Sequence, residues 1–192
     1  MDVAKDIEIH PVDESRWPDL ADLFGEAGGH DGCWCMFWRL PNKELMASSA
    51  DENRERLRDL ISRGGPVGLI AYLGGEPVGW CTVGPRTGYA RVERTKAIAP
   101  ADPADPAVWS VPCFFVRRDH RRTGVASTLV RAAVEYAREQ GARMIEGYPV
   151  AHTKHSAAVL STGTVGVFTD AGFAVGGDTP ASGRRLVVRH DL

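Results

Sequence analysis

Cysteine is scarce in this chain, with four residues in 192, at positions 33, 35, 81 and 113. They are too few and too unevenly spaced for the disulfide framework of a secreted domain, which points to a reducing compartment. Long apolar runs are also lacking. No stretch has the ~20 consecutive apolar residues that span a bilayer, and the opening residues from Met1 to Ile7 lack the apolar segment of an export signal. A cytoplasmic protein that engages no membrane is expected. A strong charge of one sign is missing as well: the formal net charge is -2, which argues against a nucleic-acid partner and makes any basic cluster a local device. No internal repeat and no linker interrupts residues 1–192, so a single domain, large enough for its own core, is predicted.

Residues 111–129 read as an apolar strand, a basic turn and a helix start. Phe114 and Val116 alternate with their neighbours as strand residues do, and Arg117, Arg118, Arg121 and Arg122 crowd positive charge just beyond the strand. Thr123, Gly124 and Ala126 are small, so a ligand can approach the backbone closely where the next helix presents its unpaired N–H groups. Such a turn is built to hold phosphate. The helix that follows carries Leu129, Ala133, Tyr136 and Ala137 on one face and stops at Gly141.

The spacing Arg121-x-x-Gly124-x-Ala126 resembles the Arg/Gln-x-x-Gly-x-Gly/Ala signature of the GNAT acyl-CoA N-acyltransferases, with Val116 five residues before the arginine. The resemblance implies a mixed α/β fold: a central, mostly antiparallel sheet whose parallel fourth and fifth strands splay apart, flanked by helices. It implies acetyl transfer from acetyl-CoA to an amine of a small molecule or of a protein or peptide, by direct attack in a ternary complex, and it leaves room for a homodimer. The N–H groups of residues 121–126, Val125 included, would bind the pyrophosphate. Phe114, Phe115 and Val116 would flank the pantetheine arm, Val116 through its main chain.

The remaining element order agrees. Residues 7–12 alternate as a strand, and Trp17, Leu20, Leu23 and Phe24 fall at helical spacing. A charged helix is predicted over residues 42–63, and residues 67–73 and 76–83 form a hairpin around Gly74-Gly75. Residues 84–106 form a polar insertion whose proline-rich end reads as an extended surface loop. Residues 144–150 read as the next strand, Ala171-Gly172-Phe173 closes a short helix, and a terminal strand runs through Leu186, Val187 and Val188.

The chain also departs from the family pattern. Many relatives place a tyrosine, as acid for the departing thiolate, four residues before the Gly-Phe of the late helix. Here that residue is Phe168, which can only pack beside the thioester. The strand positions of the usual base fall near Ser110 and Pro112, and the asparagine common after the fifth strand has no counterpart around Ala151. Tyr148 and Glu146 are the replacement candidates for catalysis, with His152 and His155 as alternatives. Each also has a plain reading, as a hydrogen-bonded strand residue, a core tyrosine or loop histidines. A CoA-binding sensor or interaction module with little turnover is the rival that these departures favour.

In the segment Gly32-Cys33-Trp34-Cys35-Met36-Phe37-Trp38, the aromatics Trp34, Phe37 and Trp38 are expected to line the acceptor side, where a cationic amine could meet their rings. His30, Cys33 and Cys35 bring soft ligands together, but Cys-x-Cys lacks the spacing of a zinc site; no metal is expected, and buried thiols in an aromatic wall are.

Overall fold

Alternating residues build the middle of the sheet. In the computed structural model, which describes residues 6–100, 102–150, 161–176 and 185–192, the strands β1 (Ile7–Pro11), β2 (Gly68–Leu73) and β3 (Glu76–Pro85) run antiparallel in sequence. Leu69 and Ala71 of β2 face one side of the sheet, and Ile70 and Tyr72 face the other. Each side is covered by helices, which gives two cores.

On the first side lies α5 (Val125–Glu139), whose buried stripe of Val125, Leu129, Val130, Ala133, Val134 and Ala137 packs on Leu69, Ala71, Val78, Cys81 and Val83. A fully buried side chain such as Leu129 contributes about 1.5–3 kcal/mol. Tyr136 is half-buried and meets the Trp109 ring edge-on. The helix stops as its glycine predicts, with Gly141 N–H donating to Arg138 O and Ala142 N–H to Ala137 O, both at 3.0 Å.

On the second side, α1 (Trp17–Phe24), α2 (Asn42–Ala47) and α3 (Ala50–Ser62) enclose Trp17, Leu20, Phe24, Trp34, Leu57, Ile61 and Trp80. The single helix expected over residues 42–63 is therefore two. Ser48 and Ser49 leave helical geometry, and Ser49 starts α3 with a capping box: its Oγ accepts from Glu52 N–H at 3.2 Å, and its own N–H donates to Glu52 Oε2 at 2.7 Å. Among the described residues, no helix is long and apolar enough to cross a membrane.

The sheet continues through β4 (Val108–Val116), β5 (Met144–Gly147), β6 (Ala174–Val175) and β7 (Val188–Asp191), in the spatial order β1-β2-β3-β4-β5-β7-β6. Among the strands of the described residues, β4 and β5 alone pair in parallel. They pair from Val108 with Met144 to Val111 with Gly147 and then diverge, because β5 ends while β4 runs on to Val116. At the same level β4 bulges: Thr82 faces Cys113 and Gly84 faces Ser110, which leaves one extra residue on β4 around Pro112, a residue with no N–H to give. Beyond the split, Phe114 N–H donates to Ser161 O at 2.6 Å instead of to a strand.

Three boundaries differ from the sequence reading. β5 stops at Gly147 rather than reaching residue 150, the final strand starts only at Val188, and the short helix α6 (Val165–Thr169) is followed by the two-residue β6, which has no sequence signature. The insertion after β3 is not merely loop. It forms a 3-10 turn (Arg86–Gly88) and α4 (Ala90–Arg94), and Tyr89, Val92 and Ile98 are buried against Trp38 and Tyr148 in a third apolar cluster.

Candidate active site

Between β4 and α5 the chain makes the basic turn. Arg117 pairs with Asp119 (3.2 Å) and Glu76 (3.7 Å), Arg121 Nε donates to Val116 O (3.1 Å), and Thr123 Oγ1 donates to His120 O (2.6 Å). The backbone then takes two left-handed steps, at Arg122 (φ 64°) and at Gly124 (φ 92°). The second suits glycine, which lacks the Cβ that makes this region costly. Thr128 N–H closes the first turn of α5 onto Gly124 O at 2.9 Å, and no group among the described residues accepts from the N–H of residues 124–127. Four donors thus converge at the positive end of a 15-residue helix. Val125 contributes only backbone here, since its side chain is buried against Gly79.

This turn borders a cavity of about 630 Å³ lined by residues 113–116, the part of β4 beyond its pairing with β5, and by residues 161–164. Arg121 and Ala126 of the turn, Phe114, Phe115 and Val116 of β4, and Phe37 and Trp38 all line it. Because the sheet has parted, side chains from both of its faces reach the same space: Phe114 and Val116 from the α5 side, Cys113 and Phe115 from the other. Sequence reasoning missed Phe24, Met46, Cys113, Thr162 and Arg185, which also line it. Cys113 could have been found, three residues before Val116 on the same strand; Arg185 carries no local signature.

Several predicted site residues lie elsewhere. Trp34 does not line the cavity; it is buried against Trp17 (6.0 Å, stacked) and Phe24 (5.5 Å). The loop winds tightly around it, so that a Cβ on Gly28 would come within 2.4 Å of the indole. Phe168 is buried among Phe114 and Phe173, with its ring filling the space beside Gly147 and Gly163. It stands behind the cavity wall rather than in it.

Glu146 and Tyr148, the candidates for catalysis, also lie away from the cavity lining. Glu146 is 2% exposed. Its Oε2 accepts from Arg86 Nη1 (3.1 Å) and from the Tyr148 hydroxyl (3.1 Å), and its Oε1 accepts from Arg189 Nε (2.9 Å). The Tyr148 hydroxyl is also hydrogen-bonded to Ser110 Oγ at 2.8 Å, and burial, followed by the Glu146 charge, holds the phenol well above its usual range. Neither residue lines the cavity; Trp38, which does, stacks on Tyr148 at 6.0 Å. The carboxylate is committed to two guanidiniums and the phenol to the carboxylate, so the geometry suits an anchor for the bulged strand better than a proton relay. His152, His155 and Ala151 lie outside the described residues.

Three thiols reach the cavity wall: Cys33, Cys35 and Cys113. Cys35 Sγ accepts from Trp80 Nε1 at 3.0 Å. Burial pushes Cys33 up to about 11. Cys113 moves the other way, because Cys35 donates its S–H to it, and Ser161 and the Arg185 charge add to the effect. Among the described residues, no group of three His, Cys, Asp or Glu side chains could hold a metal ion.

A search of curated proteins found no match. Solved structures share the fold at low identity. The GNAT domain of S. lividans PAT is 21% identical with a TM-score of 0.56, over 97% of this chain and 90% of that one. A GCN5-related N-acetyltransferase from Kribbella flavida is 19% identical with a TM-score of 0.57, over 98% and 99%. The protein yncA from Salmonella typhimurium, solved with its cofactor acetyl-CoA, is 14% identical with a TM-score of 0.56, over 97% and 94%. The family model for the acetyltransferase (GNAT) family matches residues 34–160, a span that takes in the bulged strand and the basic turn, and by that match the chain belongs to the GNAT acetyltransferases.

Proposed function

We propose that this protein transfers the acetyl group of acetyl-CoA to a primary amine bound in the cavity, by direct attack of the amine on the thioester in a ternary complex. The observation that carries this reading is the start of α5, where the N–H groups of residues 124–127 open beside the cavity that Phe114, Phe115 and Val116 line. Acetyl-CoA fits these residues as cosubstrate: a diphosphate matches four converging donors, the left-handed Gly124 keeps a side chain out of their way, and Arg121 and Arg122 supply charge. The thioester supplies an activated acyl carbon and a thiol leaving group with a pKa of roughly 8.5, which departs at neutral pH without an obligatory acid.

The chain's own contribution is placement. Residues 121–126 hold the diphosphate, and the main chain of β4 at Phe114, Phe115 and Val116 guides the acyl arm toward the split in the sheet. Phe37 and Trp38 shape the acceptor side. Glu146, Tyr148 and Ser110 fix the bulged strand from behind, and Phe168 packs the opposite flank. Most of the rate then comes from proximity and orientation, with the amine's proton passing to solvent at the cavity mouth.

A second reading, a CoA-binding sensor or interaction module with little turnover, is favoured by the burial of Glu146, Tyr148 and Phe168 outside the cavity. Calorimetry with acetyl-CoA together with thiol release over a panel of amines separates the two. Binding with thiol release supports the transferase, and binding without it supports the sensor. Absence of binding defeats both.

A further inference from the structure

Three of the chain's four cysteines line one cavity, although Cys33 and Cys35 come from the loop after α1 and Cys113 from β4. Cys81, the fourth, is buried in the first core on the far side of the sheet. Cys35 is 5% exposed, belongs to the second core, and accepts from Trp80 Nε1 at 3.0 Å. Trp80 pairs with Phe115 across β3 and β4, and Cys113, two residues before Phe115, packs on the same core. Here the two segments meet: the Cys35 thiol donates its S–H to Cys113 Sγ. The backbone that delivers Cys35 is left-handed at Trp34 (φ 44°) and at Cys35 itself (φ 57°), a costly conformation for residues with a Cβ that persists where the surroundings fix it.

We propose that Cys113 and Cys35 are a reversible, peroxide-sensitive pair, Cys113 attacking the oxidant and Cys35 closing a disulfide across the cavity wall. This goes beyond acetyl transfer and holds whichever acceptor is used. Attack needs a thiolate within reach of a small oxidant, and resolution needs a second sulfur already beside it. Cys113 meets the first condition: it is half-buried at the cavity, and the Cys35 S–H holds its thiol below the usual range. Cys35, its hydrogen-bond partner, meets the second. Cys33 meets neither, since burial pushes it up to about 11 and Cys113 acts on it through charge alone.

In the first step the Cys113 sulfur bonds one oxygen of hydrogen peroxide as the O–O bond breaks, giving a sulfenic acid and hydroxide. In the second, the Cys35 sulfur bonds the Cys113 sulfur as the S–O bond breaks, and its proton leaves with the hydroxyl group as water. Two thiols are oxidised and one peroxide is reduced to two waters, the Cys113 proton neutralising the first hydroxide. Where the surroundings are reducing, such a disulfide is a transient device and not a structural staple. It joins the loop that carries Phe37 and Trp38 to the stretch of β4 lining the cavity, so oxidation acts on the site itself.

The test uses the full chain, reduced and then treated with a few equivalents of hydrogen peroxide at neutral pH, with free thiols counted in denaturant and bridges located by non-reducing peptide mapping. Two of the four thiols should disappear together into one intramolecular Cys35–Cys113 disulfide, and dithiothreitol should restore both. The loss should be about tenfold or more faster than for glutathione, since an ordinary thiol with a pKa of roughly 8.5 is only about 3% ionised at neutral pH. Cys35→Ala should stop at a sulfenic acid on Cys113 that dimedone traps, Cys113→Ala should lose the fast phase, and Cys81→Ala should behave as the native chain. The mapping on the native chain needs no variant to fold. A bridge that involves Cys33 or joins two molecules overturns the inference. So does a peroxide sensitivity no greater than that of glutathione, or one unchanged in Cys113→Ala.

Discussion

Arg86 Nη1 lies 3.1 Å from Glu146 Oε2, and both side chains are almost wholly buried. Arg86 comes from the insertion after β3 and Glu146 from β5, so this pair ties the insertion to the strand that parts from β4. Removing Glu146 strands the buried Arg86 charge, whereas removing Arg86 leaves Glu146 paired with Arg189. Glu146→Met should cost about 3–5 kcal/mol in urea unfolding and Arg86→Met less, and the double variant should recover a good part of the larger loss. A Glu146→Met variant within about 1 kcal/mol of the native protein would disprove the anchoring role. Kinetics give a second check: with an active acceptor, Glu146→Gln should leave the acidic limb of the pH profile in place, and a displaced limb would restore Glu146 as a proton relay.

Gly124→Val should weaken acetyl-CoA binding strongly in calorimetry. It should also cost stability, because a left-handed backbone is strained by about 1–2 kcal/mol for a residue with a Cβ, and more when branched. Gly124→Ala separates the two effects. Neutralising Arg121 and Arg122 should make binding less dependent on salt. Unchanged affinity in the folded Gly124 variants would remove the turn as the binding site.

Alkaline pH should destabilise the fold. Cys33 is raised to about 11 by burial, Cys81 and Tyr148 are raised chiefly by burial, and Cys35 is raised by its hydrogen bond to Cys113 and then by burial. A raised acid stays neutral in the folded chain after its unfolded counterpart ionises. Its contribution is therefore intact below the unfolded value, roughly 8.5 for a thiol, and is lost as pH climbs through the folded value. Cys113 is lowered and opposes this, but it is one group against several. Unfolding free energy should hold to about pH 8.5 and fall beyond it; a flat profile to about pH 11 would contradict the burial of these groups. In the same vein, iodoacetamide near neutral pH should label Cys113 before Cys33, and acetyl-CoA should slow that labelling.

Ser49→Ala removes one half of a reciprocal cap and should cost about 1 kcal/mol, with Ser49→Gly milder. Urea unfolding measures it directly. No loss would mean that packing of Leu57 and Ile61, not the cap, sets where α3 begins.

The sequence carried the sheet and α5 well, because their signals are periodic and local: alternation in β1, a Gly-Gly hairpin turn between β2 and β3, a buried stripe from Leu129 to Ala137, and a glycine stop at Gly141. The turn at residues 121–126 was legible for the same reason. The break between α2 and α3 was also written locally, in Ser49 and Glu52, but the run of charges around it reads as one continuous helix. What could not be read was direction. Trp34 and Trp38 are both apolar and four residues apart, yet one is wedged into the core and the other lines the cavity, a difference set by the left-handed backbone at Asp31, Trp34 and Cys35. Glu146 and Tyr148 meet through a hydrogen bond although Tyr148 lies past the end of β5, and the arginines that hold Glu146 come from residues 86 and 189; no spacing along the chain reports such a meeting.

The uneven anchoring of the cavity wall bears on how acceptor choice can be altered. Cys35 lines the wall but belongs to the second core, so a substitution there is screened by folding before it is ever screened by chemistry. Phe37 and Met46 are exposed at the same wall and carry no such burden. Directed evolution of acceptor range would therefore find its tolerant positions at 37 and 46, where a library can be broad without a first round of stabilisation.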